Sequence, residues 1–159
     1  MLWSMAFPLM KALLIGTVAG MRCMSAPAIV ANEMASRKSE ALGPLGLIGD
    51  PRVQKLFDIA AGVELAADKL PQIGARTETG PLVVRAISGA VSGAVVSRAN
   101  RENALLGALA GGIAAVISAH IFYSARRHAN LKLGIPDPLL AVAEDTAAWT
   151  LGRIAVGKD

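Results

Sequence analysis

Apolar residues gather in five runs along the chain, and polar or turn-rich connections separate them. A helix of about twenty apolar residues can cross the ~30 Å hydrocarbon core of a bilayer, because each residue adds about 1.5 Å. The pattern therefore predicts an all-α fold, a compact polytopic membrane helix bundle of about five helices that forms one integral-membrane domain over residues 1–159. The predicted spans are 12–31, 56–70, 81–97, 103–125 and 138–156.

Three parts of this pattern allow other interpretations. The 56–70 run contains four charged residues and alone would indicate an amphipathic helix, although its apolar neighbours favour immersion in the membrane. The 33–54 connection is rich in glycine and proline, which is typical of turns, yet its LGPLGLIG stretch is apolar enough to dip into the membrane interface. The first run resembles a signal peptide, but Arg22 interrupts the apolar core that such a peptide needs.

Composition supports a membrane protein and argues against several other classes. Hydrophobic residues make up 53% of the chain and charged residues 18%, and the mean hydropathy is +0.49. The 16 basic residues exceed the 12 acidic ones, but they form short clusters between apolar runs, as membrane flanks do. We therefore expect the lipid bilayer as a partner and no nucleic acid. Cys23 is the single cysteine, and no metal or other cofactor is predicted.

Paired glycines mark the faces through which the helices are expected to pack. Glycines four residues apart let two helix backbones approach closely, which matters in a solvent that provides no hydrophobic drive between helices. Contact within one bundle is the favoured interpretation because three separate runs carry the motif, while a dimer or contact with other membrane subunits stays open. The glycines are Gly16, Gly20, Gly89, Gly93, Gly107 and Gly111.

The stretch GMRCMSAPAIV places an arginine and a proline inside the first run. Pro27 lacks an amide hydrogen and its ring crowds the carbonyl of Cys23, so the helix should kink or open close to Arg22. A broken helix at membrane depth is tolerated where it lines a cavity or a buried polar site. An adjustment of packing alone is the competing explanation.

Charged residues in the other runs supply partners for that arginine. Four carboxylates occupy two helices, and a second arginine lies near the start of the third run. A lone charge at the centre of a membrane helix costs about 2.5–3.5 kcal/mol or more, so these groups should pair or face water. We expect Arg22 to face one of the four acids. The alternative for Glu64 and Asp68 is a location at the membrane interface. The predicted ion or substrate pathway consists of Arg22, Glu64, Asp68, Arg85, Glu144 and Asp145.

A faint internal similarity suggests an inverted repeat. ALLIGTVAG at 12–20 resembles ALLGALAGG at 104–112, and each is followed by a helix that begins at proline and carries acids. Five crossings would insert the second pair of helices upside down relative to the first, as in many transporters. Chance similarity between runs of small residues is the equal alternative.

Several of these stretches together resemble the small bacterial integral-membrane family called domain of unknown function 4126. They are GMRCMSAPAIV, ADKLP, RAISGAVSGAVV, ALLGALAGGIAA and PDPLLAVAEDTAAW. The resemblance extends over most of the chain. It implies a multi-pass helical protein of the bacterial inner (cytoplasmic) membrane, and it brings no activity, ligand or catalytic residue with it.

The functional expectation is a transporter or channel-like protein for a small ion or solute. Carboxylates at membrane depth bind cations or protons, arginines hold anionic groups, and a broken helix lets a site open to one side. The alternative is a structural or assembly subunit of a membrane complex, whose ion pairs only hold helices together. We do not expect an enzyme, because the two histidines belong to no pattern of nucleophile and base. A sealed polar centre would favour the structural role, and a hydrated opening would favour transport.

Overall fold

The computed structural model describes the backbone of residues 2–37, 40–67 and 79–157, and the side chains of 9–36, 43–65 and 79–157. Across these residues the chain is helical and contains no strand, so the all-α prediction is confirmed. The elements in chain order are α1 (Leu2–Met21), α2 (Ser25–Arg37), a 3₁₀ segment (Glu40–Gly49), α3 (Pro51–Ala67), α4 (Thr79–Ala99), α5 (Ala104–Leu133) and α6 (Asp137–Val156).

The described residues form more helices than the five predicted, for two reasons. The predicted 12–31 span is two helices, because the chain leaves the α-helix at Arg22 and re-enters it at Ser25. Pro27 lies in the first turn of α2, where its missing amide hydrogen breaks no helical hydrogen bond. The 33–54 connection, predicted from turn chemistry, contains the end of α2, the 3₁₀ segment and the start of α3.

Helix α5 is longer than its apolar run, and its two caps explain why. Asn103 accepts hydrogen bonds from the amides of Leu105 and Leu106 at 2.8 and 3.3 Å, which satisfies two amides that a helix start leaves open. At the other end Gly134 adopts a left-handed conformation with φ 64°, the common way to end a helix. The polar turns between residue 125 and this glycine therefore continue the helix.

Helices α1, α4 and α5 form the centre of the bundle and pack through small residues. A Cβ atom added to Gly16 would lie 2.7 Å from the Cα of Gly111, and one added to Gly89 would lie 2.7 Å from the Cβ of Ala115. Larger side chains would force these helices apart. Each of the six predicted packing glycines lies against another helix of the same chain, so a dimer is not needed to explain them.

Helices α1 and α2 double back on each other as a hairpin. Lys11 donates a hydrogen bond to the carbonyl just after α6 at 3.1 Å, and Arg22 contacts Asp145 at 2.7 Å, so α1 runs antiparallel to α6. Ile29 lies against Gly152, further along α6, so α2 runs parallel to α6 and therefore back along α1. The prediction that residues 12–31 form one continuous helical span is wrong, because the chain turns at residues 22–24.

The 3₁₀ segment and α3 cover the outer side of α2. Gly49 approaches the backbone of Met34, which fixes the 3₁₀ segment against the second half of α2. Asn32 donates a hydrogen bond to Asp58 at 2.8 Å, and the amide of Met24 donates one to Glu64 at 2.7 Å. These contacts make α3 antiparallel to α2 and bring the last turns of α3 to the tip of the hairpin.

Two of the described helices, α4 and α5, are long and apolar enough to cross a membrane by length and composition. Their outer faces expose large apolar side chains at regular helical spacing, among them Ile87 and Val91 on α4 and Leu109, Ile113 and Ile117 on α5. The two halves of the suggested repeat differ in their elements. Residues 134–136 join α5 directly to α6, whereas α2 and the 3₁₀ segment separate α1 from α3.

Candidate functional site at the tip of the hairpin

The break between α1 and α2 leaves backbone groups that no helical hydrogen bond can satisfy. The last carbonyls of a helix and the first amides of the next point into the gap, where they carry partial negative and partial positive charge. The amide of Arg22 still bonds to the carbonyl of Val18, so α1 closes its last turn there. Side chains from α3 and α4 bind the backbone groups that remain, and α6 supplies a partner for the Arg22 side chain.

Helix α4 supplies the donors for the end of α1. Arg85, only 6% exposed, donates from Nη1 to the carbonyls of Gly20 and Met21 at 2.7 and 3.2 Å. One turn further along α4, the Ser88 hydroxyl donates to the carbonyl of Cys23. A cation at the C-terminal end of a helix is favourable because it faces the negative end of the helix dipole. Arg85 therefore anchors the end of α1 to α4.

Helix α3 supplies the acceptor for the start of α2. The two carboxylate oxygens of Glu64 accept hydrogen bonds from the amides of Cys23 and Met24, each at 2.7 Å. The carboxylate thus satisfies two open amides and places negative charge at the positive end of the α2 dipole. Glu64 therefore caps the start of α2, as Arg85 caps the end of α1.

Helix α6 contributes the partner of Arg22. Arg22 Nε and Asp145 Oδ1 lie 2.7 Å apart, with side chains 3% and 30% exposed. The contact has the distance of an ion pair but not the angle of a hydrogen bond. Of the four acids predicted from the sequence as partners for Arg22, the structure brings Asp145 to the guanidinium. The tip cluster consists of Arg22, Glu64, Arg85 and Asp145.

Glu144 belongs to a second cluster between α5 and α6. Arg126 lies 3.2 Å from Glu144 through Nη1, and it holds both oxygens of Asp137 at 2.8 and 2.7 Å. Adjacent helical residues point about 100° apart, so Glu144 and Asp145 reach different neighbours. Sequence reasoning missed Arg126 and Asp137 because it ended the fourth run at residue 125. Asp68, the remaining predicted pathway residue, lies outside the described residues.

The tip cluster is charge-balanced, and a separate groove lies further along α2 and α6. Two arginines and two carboxylates leave no net formal charge, so binding or release of one ion or proton changes the balance by a full unit. The groove, which we call the α2–α6 groove, has a volume of about 610 Å³ and is lined by residues of α2, α3 and α6. Trp149 lines the groove and lies one helical turn beyond Asp145.

Within the part of the chain that the structure describes, the tip cluster does not supply a metal site of the usual kind. No group of three or more histidine, cysteine or carboxylate side chains converges among these residues. The donors and acceptors of the tip instead satisfy backbone groups and one another. The arrangement can hold the turn between α1 and α2 closed.

Comparisons with other proteins identify the family and do not supply an activity. Neither the curated proteins nor the solved structures include a significant match to this chain. Residues 9–157, which contain the tip cluster and the three helices that supply partners to it, match the family described as Domain of unknown function (DUF4126). The chain therefore belongs to this family.

Proposed function

We propose that this chain is a small transporter or channel-like protein of the bacterial inner membrane, which binds a small ion or solute at the tip cluster. The observation that carries the proposal is the turn between α1 and α2, where Arg85 and Glu64 from two other helices cap the end of α1 and the start of α2. Transporters commonly use helix ends at membrane depth to bring helix dipoles and backbone groups to a bound ion.

The outer surface of the bundle supports a membrane location. Helices α4 and α5 meet the length and apolarity needed to cross a bilayer, and their exposed faces carry isoleucine, leucine and valine side chains. Large contiguous apolar surfaces are rare on soluble monomers. In a bilayer these faces contact lipid chains, and the buried arginines lie among partners that offset the cost of their charge.

In this proposal a bound ion displaces one of the two capping side chains, Arg85 or Glu64, from the helix end that it binds. A cation at the tip competes with Arg85 for the carbonyls of α1, and an anion competes with Glu64 for the amides of α2. The Asp145 side chain, which is 30% exposed, gives water and ions access to the tip cluster.

A structural or assembly subunit is the second candidate, and one observation favours it. Both ends of the broken helix find partners inside the same chain, so the tip is a stable joint even without a ligand. A protein with this role needs the tip cluster for folding or for contact with another subunit, and it conducts nothing.

Flux measurements in vesicles separate the two candidates. Purified protein is reconstituted into liposomes, and proton, Na⁺ and K⁺ flux is measured under an imposed membrane potential. Transport through the tip cluster predicts flux above that of empty liposomes, reduced by Glu64→Gln and Asp145→Asn in protein that remains folded. Glu102→Gln is the matched control, because Glu102 lies in the connection between α4 and α5, away from the tip.

Two outcomes would count against transport. Normal flux through folded Glu64→Gln and Asp145→Asn proteins would remove the tip cluster from the pathway. Flux equal to that of empty liposomes for all three ions, together with lowered thermal stability of the tip variants, would favour the structural subunit.

A further inference from the structure

The α2–α6 groove has the size and the mixed lining of a ligand site. Its volume of about 610 Å³ lies within the range of roughly 300–1,000 Å³ that small-molecule sites occupy. Ile29 and Val156 give it an apolar floor, while Asn32 and Ser36 add groups that form hydrogen bonds. Such a combination of apolar surface with a few polar groups is typical of sites that orient a ligand.

Charge in the groove is mixed, with acids in excess. Glu33 and Asp58 each bring a carboxylate, and Arg153 brings a guanidinium, so the formal charge of the lining is negative by one unit. Asp58 accepts one hydrogen bond from Asn32 at 2.8 Å, which orients the carboxylate and leaves it further acceptor positions. A lining with charges of both signs favours a ligand that also carries both a positive and a negative group.

Arg153 and Trp149 indicate which chemical groups the ligand carries. Within the described part of the chain, the Arg153 side chain has neither a hydrogen bond nor an ion pair, and it is exposed at the wall of the groove. A guanidinium matches the oxygens of a phosphate or carboxylate. Trp149 is 46% exposed and lies one turn before Arg153 on α6. An indole face attracts an organic ammonium group.

We propose that the α2–α6 groove binds a small zwitterion that carries an ammonium group and an anionic oxygen group. Asp58 and Trp149 bind the ammonium, and Arg153 binds the phosphate or carboxylate. Free phosphoethanolamine and the headgroup of phosphatidylethanolamine share this chemistry, and the groove lies where the ends of α2 and α6 meet. The proposal does not depend on transport: a chain that conducts no ion can still bind the zwitterion.

Tryptophan fluorescence offers a direct test, because the chain has only two tryptophans. Trp3→Phe leaves Trp149 as the sole reporter in the groove. Titration of this variant in detergent with phosphoethanolamine should change the Trp149 emission in a saturable way. Arg153→Gln should weaken binding about tenfold, since a hydrogen bond to a charged group contributes at least that much. Arg98→Gln, an exposed arginine at the end of α4, is the matched control and should bind as the parent does.

Ligand fragments and lipid discs complete the test. Ethanolamine and inorganic phosphate should each bind more weakly than phosphoethanolamine, because each reaches only one of the two charged walls. A change in Trp149 emission in nanodiscs of phosphatidylethanolamine, but not in nanodiscs of phosphatidylglycerol, would support the proposal. It would also identify the lipid headgroup as the source of the ligand. If inorganic phosphate binds with the same affinity as phosphoethanolamine, the proposal is overturned. It is equally overturned by the lack of a saturable response to both the free and the lipid form, or by equal binding to the Arg153→Gln protein.

Discussion

Replacement of Glu64 by glutamine tests whether the carboxylate holds the hairpin tip closed. Glutamine keeps the shape of the side chain but replaces one acceptor oxygen with a donor, which then faces a backbone amide. One of the two 2.7 Å hydrogen bonds is lost. A hydrogen bond to a charged group contributes about 1.5–3 kcal/mol, so we expect the free energy of unfolding to fall by about that amount. For a chain of this size the apparent melting temperature should drop by about 3–12 °C.

The chain contains its own reporter of local opening at this position. Cys23 is the single cysteine, its amide donates to Glu64, and its side chain is only 7% exposed. Opening of the tip should expose the thiol, so maleimide labelling of native protein in detergent should be slow in the wild type and faster in Glu64→Gln. Labelling is measured well below the melting temperature, so that global unfolding does not contribute.

Glu102→Gln serves as the control, and it should change neither the melting temperature nor the labelling rate. A Glu64→Gln protein with wild-type values in both assays would refute the role of the carboxylate as a cap. A lower melting temperature with slow labelling would retain the cap but remove the local opening on which displacement by an ion depends.

Two further predictions address the bundle and its topology. Gly111→Ala should destabilise the protein by about 1–3 kcal/mol, the usual cost of overpacking, because the new Cβ would lie 3.0 Å from the carbonyl carbon of Gly89. Its neighbour Gly112→Ala should cost little, since the nearest atom lies at 3.4 Å, and equal melting temperatures for the two variants would contradict the packing. In a Cys23→Ala background, cysteines at Met10 and Arg52 should be labelled from one side of the membrane and a cysteine at Lys132 from the other. Labelling of Met10 from the side of Lys132 would show that the first helix crosses without turning back.

The sequence was sufficient for the helical class, because long apolar runs identify helices by local chemistry alone. The predictions of a break near Pro27 and of glycine packing faces depend on local chemistry as well, namely the effect of proline on the preceding turn and the spacing of small residues. The family was also accessible, because the stretches that carry the resemblance are spread over most of the chain. The direction of the chain after the break could not be predicted from the sequence, because a kinked helix and a helical hairpin have the same local sequence pattern.

The partners of the charged residues show a similar limit. The sequence grouped Arg22 with four acids, and only the contact between α1 and α6 identifies Asp145. Glu64 was weighed as an interfacial residue, because no pattern along α3 indicates that its last turns reach the amides of another helix. Arg126 was missed for a different reason: helix caps at Asn103 and Gly134, rather than apolar residues, determine the length of α5.

The charges of the tip follow the polarity of the two helix ends that they cap. The carbonyl end of α1 receives the cation Arg85, and the amide end of α2 receives the anion Glu64, so each cap opposes the partial charge of its helix. Because the two ends have opposite polarity, a visiting ion can replace only the cap of its own sign. Cation binding would therefore release Arg85 and leave Glu64 in place, whereas anion binding would release Glu64. In the proposed function the tip therefore has two separable ways to open, and the sign of the bound ion selects between them.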